Sequence, residues 1–237
     1  NKGCSLFTCL LERAFVRGDI NVCEYLMTHL RDGRYYCQEE YRRCRFKPDI
    51  SVNILIYGRQ KGFRWDARIS TIAAKNRRFD ILQFIFTHKL SWSKSACDVA
   101  AMAGHLDVLR FLHEHGCKWH TTTCNVAVKH GRMDVLRYAY ENGCPWSLGV
   151  CHTAAQTGNL EALQYARDRG CPWDSHIWRF AAQNGHLDIL RYALANDCPR
   201  YREAAAIAAR RGKLDCLIYL HENGFPLIDP GTIKDSI

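Results

Sequence analysis

The chain has 237 residues, 47% hydrophobic and 24% charged, with a formal net charge of +9. No apolar run is long enough to span a bilayer, and residues 1–11 read as a repeat helix rather than a secretory leader. Thirteen cysteines, an odd count in a chain of this size, fit free thiols in a reducing, intracellular compartment better than a disulfide framework.

A 27-residue period governs the order of elements. An acidic residue recurs at Asp80, Asp107, Asp134, Glu161, Asp188 and Asp215, and tryptophan at Trp65, Trp92, Trp119, Trp146 and Trp173. A fixed period of this size predicts stacked supersecondary units rather than one globular core.

In chain order, residues 1–33 form an irregular first repeat. Its turn falls near Gly18, and Asn21 fills the acidic slot. Residues 34–66 form a second repeat carrying an insertion around 31–48. The period predicts its second helix over the apolar run Val52, Ile54, Leu55 and Ile56. Residues 67–228 contain six regular to degenerate repeats, and 229–237 form a tail. The count is about eight helix-turn-helix units.

The stretch from Thr121 to Ser147 shows one unit. Cys124, Ala127 and Val128 share a helical face, Gly131 breaks the run, and Met133, Leu136, Tyr138 and Ala139 form a second stripe. Gly143 and Pro145 end that helix. Ala73, Ala100, Ala127, Ala154, Ala181 and Ala208 sit at the waist of successive first helices, where a small side chain permits close approach at full helix propensity. Leu82, Leu109, Leu136, Leu163, Leu190 and Leu217 supply bulk on the second. Cys117, Cys144, Cys171 and Cys198 share a slot with Phe63, Leu90 and Phe225, so the cysteines read as buried small hydrophobes.

Thr122 to Asp134, and still more Ala181-Ala182-Gln183-Asn184-Gly185-His186-Leu187-Asp188, resemble the ankyrin repeat. The resemblance implies an all-α solenoid of protein-interaction repeats. These units are shorter than the family's roughly 33 residues, and the missing stretch falls where the family carries a β-hairpin finger. The finger is therefore expected to be reduced or absent. Short units ending in Gly-Cys-Pro-Trp also look like arrays from large DNA viruses of amoebae and from protists.

That resemblance implies a concave surface built by the first helices, with the pair before each turn facing a partner. From those pairs Lys75, Lys129, His130, Gln156, Gln183, Arg210 and Arg211 are candidate contacts, joined by Arg77 and Arg78 beside the first regular turn. Charge adds a second group. Residues 1–79 hold sixteen Lys and Arg against eight Asp and Glu, whereas residues 80–237 hold seventeen against sixteen. Arg42, Arg43, Arg45 and Lys47 in the insertion are therefore candidates for an acidic or phosphate-bearing partner. A solvated basic face is the competing account.

No P-loop, dinucleotide-binding glycine pattern, calcium loop or nucleophile-base pair is present. His113, His115, Cys117, His120 and Cys124 lie close in sequence, but these cysteines belong to the apolar ladders, so no metal is expected there. The turn histidines His105 and His186 give way to Arg78, Arg132, Asn159 and Lys213 elsewhere, which argues for a structural role. The acidic ladder reads as a set of helix caps, and the tryptophans as loop-to-helix packing. The expectation is a non-enzyme without cofactor, small-molecule substrate or membrane, presenting its surface to another protein. The alternative is a structural or nucleic-acid-associated component docking through its basic first third.

Overall fold

A computed structural model describes residues 14, 17, 19, 21, 22, 25, 51–60 and 67–227. Among the described residues there are thirteen bounded helices and no strand. They are α1 (Val52–Gln60), α2 (Arg68–Lys75), α3 (Phe79–Thr87), α4 (Ala96–Ala103), α5 (Leu106–Glu114), α6 (Thr121–Lys129) and α7 (Met133–Glu141). Then come α8 (Leu148–Thr157), α9 (Leu160–Asp168), α10 (His176–Asn184), α11 (Leu187–Ala195), α12 (Ala204–Arg210) and α13 (Leu214–Glu222). Among the described residues the stretches between second helices and the next first helices hold no hairpin, as the short period predicts.

Two compact units divide at Lys118 and Trp119. In the first, α2 pairs with α3, α4 with α5, α2 stacks on α4, and α1 packs against α3. In the second, α6 pairs with α7, α8 with α9, α10 with α11 and α12 with α13. There the first helices α6, α8, α10 and α12 stack in succession. The waist alanines explain this contact: all six, from Ala73 to Ala208, are wholly buried.

The turns follow from two left-handed slots. Arg77, Gly104, Gly131, Gly158, Gly185 and Gly212 have positive φ after the first helix, and Lys89, Gly116, Gly143, Gly170, Asp197 and Gly224 after the second. Each such residue lets the next N–H bond back to a carbonyl five residues earlier, the helix-ending pattern expected at a left-handed cap. The bond runs from Arg132 N to Ala127 O at 2.8 Å, from His186 N to Ala181 O at 2.9 Å, and from Cys144 N to Ala139 O at 2.9 Å. Asp19 N bonds Ala14 O at 3.1 Å over the same five-residue spacing.

Two details of the sequence reading change. Met133 and Tyr138 are half-buried, while Val135, Leu136 and Ala139 are fully buried, so the second-helix stripe lies one residue away from the predicted edge. The acidic ladder does not occupy the cap. The cap of α3 is Arg78 and that of α5 is His105, which puts Asp80 and Asp107 at the second helical position. There a carboxylate still meets the positive end of the helix dipole. In α9 the cap Asn159 accepts a hydrogen bond from Ala162 N at 2.9 Å.

The cysteine ladders are buried, and Cys97, Cys117, Cys124, Cys144, Cys151, Cys171, Cys198 and Cys216 are free thiols. Cys97 Sγ lies 3.2 Å from Cys117 Sγ. Burial, the main cause, pushes the Cys198 thiol up to about 12.

Candidate partner-binding face

The first-helix ends are assembled by contacts that step from one repeat to the next. His105 Nε2 lies 3.2 Å from Lys75 O, and His186 Nε2 lies 3.1 Å from Gln156 O. Both bridge the turn histidine to the end of the preceding first helix. Tryptophan makes the matching link at the other end. Trp92 Nε1 donates to His115 O at 2.9 Å and Trp119 Nε1 to Asn142 O at 3.2 Å. In the last described loop Arg200 Nη1 takes this role toward Asn223 O at 3.1 Å. These bonds place Trp92 and Trp119 in loop-to-helix packing.

Lys75, Lys129, His130, Gln156, Arg210 and Arg211 are exposed at the ends of their first helices, and Gln183 is half-buried. Arg77 and Arg78 are engaged within the chain. Arg77 Nη2 lies 2.7 Å from Asp107 Oδ2 in the following repeat, and Arg78 Nη2 lies 2.6 Å from Asp80 Oδ2. The Arg78 guanidinium holds the Asp80 carboxyl below its ordinary range. Burial pushes the Asp107 carboxyl up, but the bond from Arg77 and those from backbone N–H groups outweigh it and leave it lowered. An open cleft of about 370 Å³ lined by Arg77, His105, Asp107 and Arg110 lies beside that pair. Arg42, Arg43, Arg45 and Lys47 lie outside the described residues.

One cluster escaped the sequence reading. His152 Nε2 lies 2.8 Å from Asp174 Oδ1, and His176 Nδ1 lies 3.2 Å from Asp174 Oδ2. Burial pushes the Asp174 carboxyl up, yet the bonds from His152 and from the His176 backbone and ring leave it lowered. The three residues are 22 and 24 apart, so no local motif joins them. The available signal was their departure from the period.

Residues 97–138 match the family model for ankyrin repeats in many copies. No curated protein matches the chain significantly. The match spans α4 to most of α7, the helix pairs whose alanine waist, glycine turn and leucine recur along the described chain. That stretch is similar to ankyrin repeats, which are generally protein-protein interaction modules; the described helix pairs around it are all α. Among the described residues no helix is long and apolar enough to cross a membrane.

Proposed function

We infer that this chain is a non-catalytic adaptor that binds another protein along the ends of its first helices. One observation carries the reading. Lys75, Lys129, His130, Gln156, Arg210 and Arg211 vary between repeats and are exposed, on a frame whose alanines and leucines repeat and are largely buried. In a stack of equivalent units, exposed variation is where specificity can be added without disturbing packing. The viral resemblance makes a host or virion protein the partner to seek, in a reducing compartment that keeps the thiols free.

The test is affinity capture with the full chain, compared with a variant carrying Lys129→Ala, His130→Ala, Arg210→Ala and Arg211→Ala. Specific partners should be lost while the melting temperature stays within a few degrees. Retention of every partner overturns this assignment of the face.

The net +8 of residues 1–79 favours a second reading, docking of the basic third on an acidic or phosphate-bearing surface. Arg42→Gln, Arg43→Gln and Arg45→Gln together should then weaken capture. The loss should be steeply salt-dependent if phosphates are neutralised. Earlier melting with unchanged capture would make the insertion a cap on the array instead.

A further inference from the structure

In a chain whose frame repeats every 27 residues, side chains that converge only once among the described residues are not explained by the frame. His152 on α8, Asp174 in the loop after α9 and His176 at the start of α10 converge in this way. The repeat before them places Asn125, Ser147 and Gly149 in the same three slots. Each of the three offers one ligand atom, and these atoms lie within 4.8 Å of one another.

We propose that His152, Asp174 and His176 bind one divalent transition-metal ion, zinc by preference, which ties the repeat of α8 to the repeat of α10. Two imidazoles and a carboxylate are a donor set that suits zinc, with Zn–N and Zn–O distances of about 2.0–2.2 Å. Donors around a tetrahedral ion of that size stand roughly 3.3 Å apart. The imidazole-carboxylate separations of 2.8 and 3.2 Å are already close to this. His176 is the most exposed of the three side chains, at 46%, so its ring can rotate to close the remaining separation and leaves a path for the ion. Each ring nitrogen facing the carboxylate carries a proton in the hydrogen-bonded cluster. Neutral imidazoles that shift that proton to the other nitrogen present lone pairs to the cation instead. Phe180 stands 5.3 Å from the His152 ring and Tyr201 is stacked at 6.3 Å on the His176 ring, which hold the two rings on this face.

The competing account is a helix cap with two histidines hydrogen-bonded to it. Asp174 Oδ1 does accept His176 N at 3.0 Å. That duty needs no imidazole: Ser93, in the same slot, accepts Ser95 N at 3.3 Å with its hydroxyl alone.

Cobalt(II) titration of the reduced full chain separates the accounts, with zinc then competed against a chromophoric chelator. The expected result is one ion per chain, a d–d spectrum of four-coordinate nitrogen and oxygen ligation, no thiolate charge-transfer band, and a raised melting temperature. His152→Gln with His176→Gln should abolish binding. Asp174→Asn keeps a good cap and should still weaken binding by at least the roughly 10–100-fold that even supporting groups contribute. Absence of stoichiometric binding, a thiolate band, or binding that survives the double variant overturns the site.

Discussion

The imidazole of His186 reaches back thirty residues to place Nε2 3.1 Å from Gln156 O, and in doing so covers Gly158. A Cβ on Gly158 would lie 2.6 Å from His186 Nδ1, and its φ is +73°. The turn glycine therefore serves two ends at once, a left-handed backbone and a seat for the next repeat's histidine.

Gly158→Ala should accordingly destabilise the protein by more than Gly131→Ala. Gly131 has φ +65° but nothing within 4 Å of an added Cβ, so it should cost only the left-handed penalty of about 1–2 kcal/mol. His186→Ala in the Gly158→Ala background should recover part of the difference. Urea unfolding of the four proteins checks this, and equal losses at the two glycines would contradict the seat.

Two non-glycine residues in the second left-handed slot invite the opposite change. Lys89 is exposed with φ +52°, where four of the six repeats have glycine. Lys89→Gly should stabilise by about 1 kcal/mol, because relief of the left-handed strain exceeds the extra chain entropy glycine brings to the unfolded state. Asp197→Gly should gain less, since aspartate tolerates this region better. A fall in melting temperature for Lys89→Gly would refute the assignment.

Leu136 is fully buried on α7, whereas Arg132 caps the same helix from an exposed turn and makes no side-chain cap bond. Leu136→Ala should cost roughly 2–5 kcal/mol. Arg132→Ala should stay near the roughly 0.5 kcal/mol typical of surface changes. Thermal or urea unfolding of both variants reads the contrast directly.

The buried thiols should be inert in the native state. Cys144, Cys171 and Cys198 should resist alkylation at pH 8 and react at full rate in denaturant, with peptide mapping to assign each site. Burial favours the protonated Cys198 thiol, whose value rises from 9.0 to about 12 on folding. Its contribution to stability is complete below pH 9 and is lost as the pH rises through about 12. Cys198→Ala should flatten that alkaline limb of the stability curve. Rapid native labelling at Cys198 would show that the ladder is not sealed.

How much of this could be read beforehand differs by position. The period by itself set the helix-turn-helix order, the alanine waist, the two glycine slots and the burial of the cysteine ladders. Within each compact unit successive repeats pack alike, so the sequence states the same packing constraint again and again. Asn53 shows how far that logic reaches: one period before Asp80, it falls at the second position of α1, as Asp80 does in α3. The tertiary structure decided what periodicity does not encode. A turn arginine looks equally available whether it faces solvent or an acid of the next repeat, and only the fold put Arg77 against Asp107. His152 and Asp174 are separated by a whole helix and two turns in the chain. They meet because adjacent first helices stack side by side, and that approach is set by the alanines packed beneath them.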